Sequence, residues 1–207
     1  IPRFSCVLCK KSFSSATYCK NFGQNKRRLN PIVNKLLCSN MSLRRIALIL
    51  GVNRKTVVRK RQVLARQALE NHQKWLKGKY FDRIQFDDLE TIEHSKMKPV
   101  TVTLFVCQNR KILGFDLARI PAKGHLARLS EKKYGKRPNE APRMRRNLFS
   151  KMREVIHPQA LFESDEHPSY PYLMKRYFPK AEHQTYKSVR AAIVGQGELK
   201  KIKFDPL

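Results

Sequence analysis

The sequence predicts a multidomain chain of mixed α+β and α/β character. A partial zinc-ribbon segment (residues 1–25) and a helix-turn-helix (26–70) lead through a linker (71–79) into a mixed sheet flanked by helices (80–207). Three observations predict this. Asp82–Asp88 alternates polar and apolar residues, Val100–Cys107 is rich in β-branched ones, and Lys111–Phe115 follows across the turn-forming Gln108-Asn109-Arg110, which together read as three consecutive antiparallel strands. Leu43–Leu50 and Arg54–Ala68 have helical periodicity and are separated only by Gly51-Val52-Asn53. Cys6 and Cys9 form a Cys-x-x-Cys turn flanked by Phe4 and Phe13.

Charge narrows the partner. The chain carries 44 Lys plus Arg against 16 Asp plus Glu, a formal net charge of +28, with 41% hydrophobic residues, enough to bury a core. The excess is uneven: residues 1–79 hold 19 basic residues and one acid, Glu70, whereas residues 80–207 hold 25 and 15. A dense Lys/Arg surface neutralises phosphates and releases counterions, so the basic half reads as a nucleic-acid-binding module. An anionic membrane is the rival partner; it is disfavoured because no apolar run approaches the roughly 18 residues of a span. Five cysteines, an odd count with one close pair, and the lack of a signal peptide point to a reducing compartment and to thiols or metal rather than disulfides.

Taken in order, the Cys6-Val7-Leu8-Cys9 turn offers two thiolates for zinc, with Cys19 a possible third ligand; two unliganded thiols is the competing reading. Further ligands are expected before Ile1. Asn30 then caps a helix that has Pro31 in its first position, and Ser42 caps the next, whose Leu43, Ile46, Ala47 and Leu50 share one face. Gly51 supplies a left-handed turn and Asn53 caps the third helix, with Val57, Val58, Val63 and Leu64 turned inward. Arg54, Lys55, Thr56, Arg59 and Lys60 are left for DNA on its outer side, the pattern of a recognition helix; an ordinary basic hairpin is the bland alternative. The segment Pro121–Pro142 is expected to be a long basic loop carrying Lys123 toward DNA, or else a solvated polar loop. Arg143–Ile156 is expected as a crossover helix, Gln159–Phe162 as a strand running into Glu163-Ser164-Asp165-Glu166, Tyr172–Phe178 as a helix and Ala181–Tyr186 as a last strand.

The carboxylates carry the chemistry. Asp87 and Asp88 close the first strand and Asp165 the fourth, and a crossover helix lays the fourth strand parallel to and beside the first. Acids at strand ends are commonly solvated or capping. In so basic a chain, two such ends brought together suit a divalent cation held against a polyanion.

The segments Phe86-Asp87-Asp88-Leu89-Glu90-Thr91, Arg119-Ile120-Pro121-Ala122-Lys123-Gly124 and Ser164-Asp165-Glu166-His167-Pro168-Ser169-Tyr170 resemble the IS1-like insertion-sequence transposases, whose catalytic core is ribonuclease-H-like. The resemblance implies a DNA transposase that binds terminal inverted repeats and target DNA, acts as a homodimer or larger assembly, and works in the bacterial cytoplasm. It implies Mg2+ or Mn2+ held by Asp87 and Asp165, with Asp88 the runner-up, and Zn2+ at Cys6 and Cys9. The third acid of the family's Asp-Asp-Glu triad falls on Glu198 or beyond Leu207, so the core is expected to be C-terminally incomplete. A relic that only binds DNA and a ribonuclease-H-like nuclease are the alternatives.

Overall fold

The computed structural model describes residues 2–187. The chain divides into two compact units, Ile1–Lys77 and Gly78–Leu207. Glu198 lies outside the described residues.

In the first unit, β1 (Arg3–Ser5) and β2 (Ser12–Ser14) pair antiparallel across the cysteine turn. They are followed by α1 (Asn30–Cys38), α2 (Leu43–Ile49) and α3 (Arg54–Leu76). Local chemistry sets the α2–α3 junction. Ser42 accepts the Arg45 N–H at 3.3 Å, Gly51 takes φ +58°, and Asn53 accepts the Lys55 N–H at 2.8 Å. Val33, Ile46, Ala47 and Val57 form the small core, with Leu36, Leu50 and Leu64 packed on it.

Two expectations change here. Asn30 is not a cap; it sits inside the start of α1, where its buried side chain bridges Asn21, Gln24 and Lys60. The segment 71–79 is not all linker, since α3 runs 23 residues to Leu76 without a break. Leu69 to Leu76 contains neither Gly nor Pro, and the helix stops only before Gly78, at φ +72°.

The second unit is a five-stranded mixed sheet with helices. β3 (Phe81–Ile92), β4 (Pro99–Cys107) and β5 (Ile112–Arg119) form an antiparallel meander. After α4 (Leu126–Tyr134) and α5 (Ala141–Met152), β6 (Ile156–Asp165) lies parallel to β3; after α6 (Tyr170–Tyr177), β7 (Glu182–Tyr186) lies parallel to β6. The strand order is β5-β4-β3-β6-β7.

The core lies between one sheet face and helices α5 and α6, around Phe86. Its ring stacks on Phe105 at 5.1 Å and meets Phe149 and Tyr170 edge-on at 5.3 and 4.7 Å. The opposite sheet face carries Arg83, Gln85, Asp87 and Leu89 of β3, with Phe115 and Leu117 of β5 exposed. β3 does not end on its carboxylates as expected. Leu89 to Ile92 continue it, because the hairpin with β4 stays in register as far as Ile92 opposite Pro99.

The basic insert is not simply a loop, since α4 lies within it. Arg137 donates to the Ile120 and Pro99 carbonyls at 3.2 and 3.1 Å and pairs with Glu93 at 3.1 Å, so this cation is spent on pinning the insert to the β3–β4 hairpin. Among the described residues no helix is long and apolar enough to cross a membrane.

Close approach fixes Gly114. A Cβ there would lie 2.5 Å from Cε and 2.9 Å from Sδ of Met152 on α5. Gly114→Ala is expected to destabilise the protein by about 1 kcal/mol, the low end for overpacking because the Met152 tip can swing aside. Urea unfolding of the variant alone and with Met152→Ala checks this; a neutral Gly114→Ala would contradict the close approach.

Candidate active site

Three residues in a row, Phe86, Asp87 and Asp88, face alternate sides of the sheet, and the alternation separates the two carboxylates. Phe86 is buried against the helices, so Asp88, on the same face as Ile84 and Phe86, points toward α5. There Asp88 Oδ2 accepts from Nε of Arg145 at 2.8 Å and from the second guanidinium nitrogen, and Oδ1 accepts from the Thr103 hydroxyl. Both side chains of the pair are about nine-tenths buried, at 11% exposure for Arg145 and 9% for Asp88. Asp88 is therefore committed to a buried ion pair, which corrects its expected place as a metal ligand.

Asp87 faces the other way, toward the open side. Gln85 is level with Glu163 across the parallel β3–β6 pair, and the Gln85 amide donates to Glu163 at 3.1 Å, so their side chains share this face. Continuing that register by two residues puts Asp87 level with Asp165, the last residue of β6. Burial raises the Asp87 pKa; the Asp88 N–H, donated to Oδ1 at 2.7 Å, opposes this, and the charges of Asp165 and Asp88 raise it further, with His167 lowering it. Asp87 is engaged by that neighbouring amide alone among the described hydrogen bonds, and Asp165 Oδ1 accepts only the His167 N–H, at 3.2 Å. Two carboxylates held side by side without a cation between them are the donor set a hard divalent ion takes.

Glu163, first of the acidic run, is spent elsewhere. It is buried, and it accepts from Arg83 at 3.0 Å, Gln85 at 3.1 Å and the Tyr186 hydroxyl at 3.2 Å. The Arg83 bond chiefly holds its pKa below the ordinary carboxylate range.

Beneath the pair lies a set of groups to which the sequence pattern gives no role. Tyr170 is fully buried and its hydroxyl has no hydrogen-bond partner among the described residues. Burial, followed by the charges of Asp88, Asp165 and Asp87, keeps that phenol protonated, so a donor is held close to the carboxylates. Arg145 also donates to the Ser169 hydroxyl at 3.5 Å, and Ser169 Oγ lies 2.9 Å from Nδ1 of His167. The Ser169 N–H points at the same nitrogen at 3.2 Å, so Nδ1 is the acceptor in the neutral ring. Contacts thus lead from Asp88 through Arg145 and Ser169 to the His167 ring, and the His167 backbone N–H reaches Asp165. A motif scan could have marked His167 by its place two residues after Asp165; Arg145 and Tyr170 had no local signal.

The other expected site residues are scattered over both units. Arg54, Lys55 and Arg59 are exposed on α3 and Thr56 is half-buried. Lys60 is not on the outer side: it is buried, and its ammonium donates to the Asn25 carbonyl at 3.0 Å and to Asn30 Oδ1 at 2.6 Å. Lys123 is exposed and pairs with Glu90 at 2.5 Å.

Cys6 and Cys9 sit on the β1–β2 turn beside the stacked rings of Phe4 and Phe13, 5.6 Å apart. The Cys9 N–H points at Cys6 Sγ at 3.5 Å, and with the Cys9 thiol and the Leu8 N–H it lowers the Cys6 pKa, favouring the thiolate that binds metal. The Cys19 thiol instead donates to the Ser15 carbonyl at 3.7 Å. Among the described residues no three His, Cys, Asp or Glu side chains gather as one metal-holding group, so each candidate site contributes two ligands. No protein-family model matches the chain, and no curated protein matches it.

The opposed carboxylates should respond oppositely to substitution. Arg145→Met leaves Asp88 buried without its partner and is expected to cost about 3–5 kcal/mol, most of it recovered when Asp88→Asn is added. Urea unfolding of the single and double variants checks this, and a cost below about 1 kcal/mol for the single change would contradict a desolvated pair. Asp87→Asn should instead stabilise. Because its folded pKa is raised, the charge costs stability once pH climbs past the ordinary aspartate range, so the substitution is expected to raise Tm at neutral pH in metal-free buffer. The gain should fade below about pH 4, where Asp87 is protonated in either state; calorimetry at both pH values decides.

Proposed function

We propose that the chain is a DNA transposase whose second unit is a ribonuclease-H-like core and whose first unit binds DNA through a helix-turn-helix. One observation carries this reading: in a β5-β4-β3-β6-β7 sheet, Gln85 of β3 is level with Glu163 of the parallel β6, and the same register carried two residues on sets Asp87, within β3, beside Asp165, the last residue of β6. A ribonuclease-H-like sheet has this order, with the second strand antiparallel to the rest. The basic first unit, with its capped α2 and α3, supports the choice of DNA as the polyanion.

Asp87 and Asp165 would hold Mg2+ or Mn2+, with Glu198 the candidate third acid. Bound there, divalent metal activates a water or 3′-hydroxyl and stabilises the leaving oxygen of a phosphodiester. The protein's own part is placement. The Phe86 cluster fixes the facing of β3 that turns Asp87 outward, and the Asp88–Arg145–Ser169–His167 chain, ending in the His167 backbone N–H, orients Asp165 at the end of β6. Arg54, Lys55 and Arg59 would face DNA on α3, and Cys6 and Cys9 would supply two of four ligands to a structural zinc. The reading extends to terminal inverted repeats, a homodimer or larger assembly on DNA, and a bacterial cytoplasmic setting.

The test is nicking of supercoiled plasmid by the full chain with Mn2+. Asp87→Asn and Asp165→Asn are each expected to abolish nicking while leaving DNA binding intact, a loss beyond the roughly 10- to 100-fold seen for outer-shell partners of a metal. Covalent joining of a labelled 3′-hydroxyl oligonucleotide to the plasmid distinguishes strand transfer from simple nuclease action. Binding without nicking by the unsubstituted chain would leave only the DNA-binding reading.

A further inference from the structure

A cavity of about 380 Å³ opens in the first unit between residues 23–26 and one face of α3. Gly23 and Lys26 mark one wall, and Thr56, Arg59, Lys60 and Val63, at helical spacing, form the other. Its chemistry is one-sided. Lys60 is 4% exposed, and both of its acceptors, the Asn25 carbonyl and Asn30 Oδ1, are neutral. The Asn30 amide cannot turn to offer anything else, because its NH2 donates to Asn21 and Gln24, each at 3.1 Å.

A lysine ammonium has three N–H donors, and among the described residues the third has no acceptor and no carboxylate in ion-pair range. Glu70 is the one acid in the first 79 residues, so the sequence itself offers this unit scarcely any neutralising group. Burying a charge is costly unless it is paired. Burial accordingly pushes the Lys60 pKa down. Arg59 and Lys26 add two exposed cations at the rim, and the Thr56 hydroxyl adds a neutral donor.

We propose that this cavity is an anion site that takes a phosphodiester of the DNA backbone, with Lys60 at its floor and Lys26, Thr56 and Arg59 at its rim. This deepens the DNA-binding reading on which it rests and divides the labour along α3. Arg54 and Lys55 at the helix start would remain for base edges, while the cavity one turn on would clamp the backbone and set the register, as phosphate contacts do. Such a grip on the backbone is blind to sequence and sensitive to salt.

The test uses the full chain and a fluorescent duplex, with binding measured across a salt series. Lys26→Gln/Arg59→Gln changes two exposed side chains and is expected to fold normally, to weaken binding to all sequences alike, and to reduce the slope of log K against log salt by about 0.9 for each phosphate no longer neutralised. The Lys60 side-chain 15N resonance, out of reach of general surface screening, should shift when duplex is added to the unsubstituted protein and hold still in the double variant. An unchanged salt slope with an unmoved Lys60 resonance would overturn the proposal while leaving DNA binding intact. Inorganic phosphate provides the second arm. If it raises Tm and moves the Lys60 resonance where duplex does not, the ligand is free phosphate and the DNA assignment is overturned. If the unsubstituted chain binds no duplex at all, the parent reading fails by itself, and the phosphate arm alone then decides whether the cavity is an anion site.

Discussion

The burial of Phe86 decides what its two neighbours can do. Its ring is the hub of the aromatic cluster joining β3, β4, α5 and α6, and deleting a buried ring of that kind costs about 3–5 kcal/mol, so the strand cannot slip by one residue without losing the core. With Phe86 inward, Asp87 must face outward and Asp88 inward. Two chemically identical side chains thereby acquire opposite fates. Asp88 is neutralised by Arg145 and becomes part of the scaffold, whereas Asp87 is left beside another carboxylate at a raised pKa. The scaffold bears a cost to keep Asp87 charged, and a cation would relieve it.

The same logic of neutralisation runs through the rest of the molecule. Glu163 shares a face with Asp87 and Asp165 yet is held by Arg83, Gln85 and Tyr186, whereas Asp165 accepts only the His167 N–H among the described hydrogen bonds. Lys60 is the inverse case, a buried cation in a unit nearly without acids, held by two neutral oxygens. Charges that this protein can satisfy internally are structural. Those it leaves without an opposite partner mark where a ligand of that opposite charge fits.

What the sequence made legible was what depends on near neighbours. Ser42, Gly51 and Asn53 act within three or four residues of themselves, and the caps and turn they form are found where they were expected. Strand alternation and the crossover helix likewise set the mixed sheet, in which β6 lies parallel to β3 with Gln85 level with Glu163. What depends on distant partners was not legible. Asp88 and Arg145 are 57 residues apart, and nothing local in either distinguishes a buried pair from a solvated one. Lys60 reads as one more outward base on a basic helix; its inward turn depends on Asn25 and Asn30, 35 and 30 residues earlier. Leu89 to Ile92 are mostly exposed and lack an inward pattern, so β3 continues there because β4 pairs with it.

The central claim is that Asp87 and Asp165 together hold one divalent metal site. Iron-directed backbone cleavage tests it most directly: Fe2+ substituted for Mg2+, with ascorbate and peroxide, cuts the chain nearest the ion. The account predicts two cuts, one beside residue 87 and one beside residue 165, both suppressed by excess Mg2+ and both lost in Asp87→Asn. Cleavage at only one of the two strands, or a pattern that Asp87→Asn leaves unchanged, would contradict it.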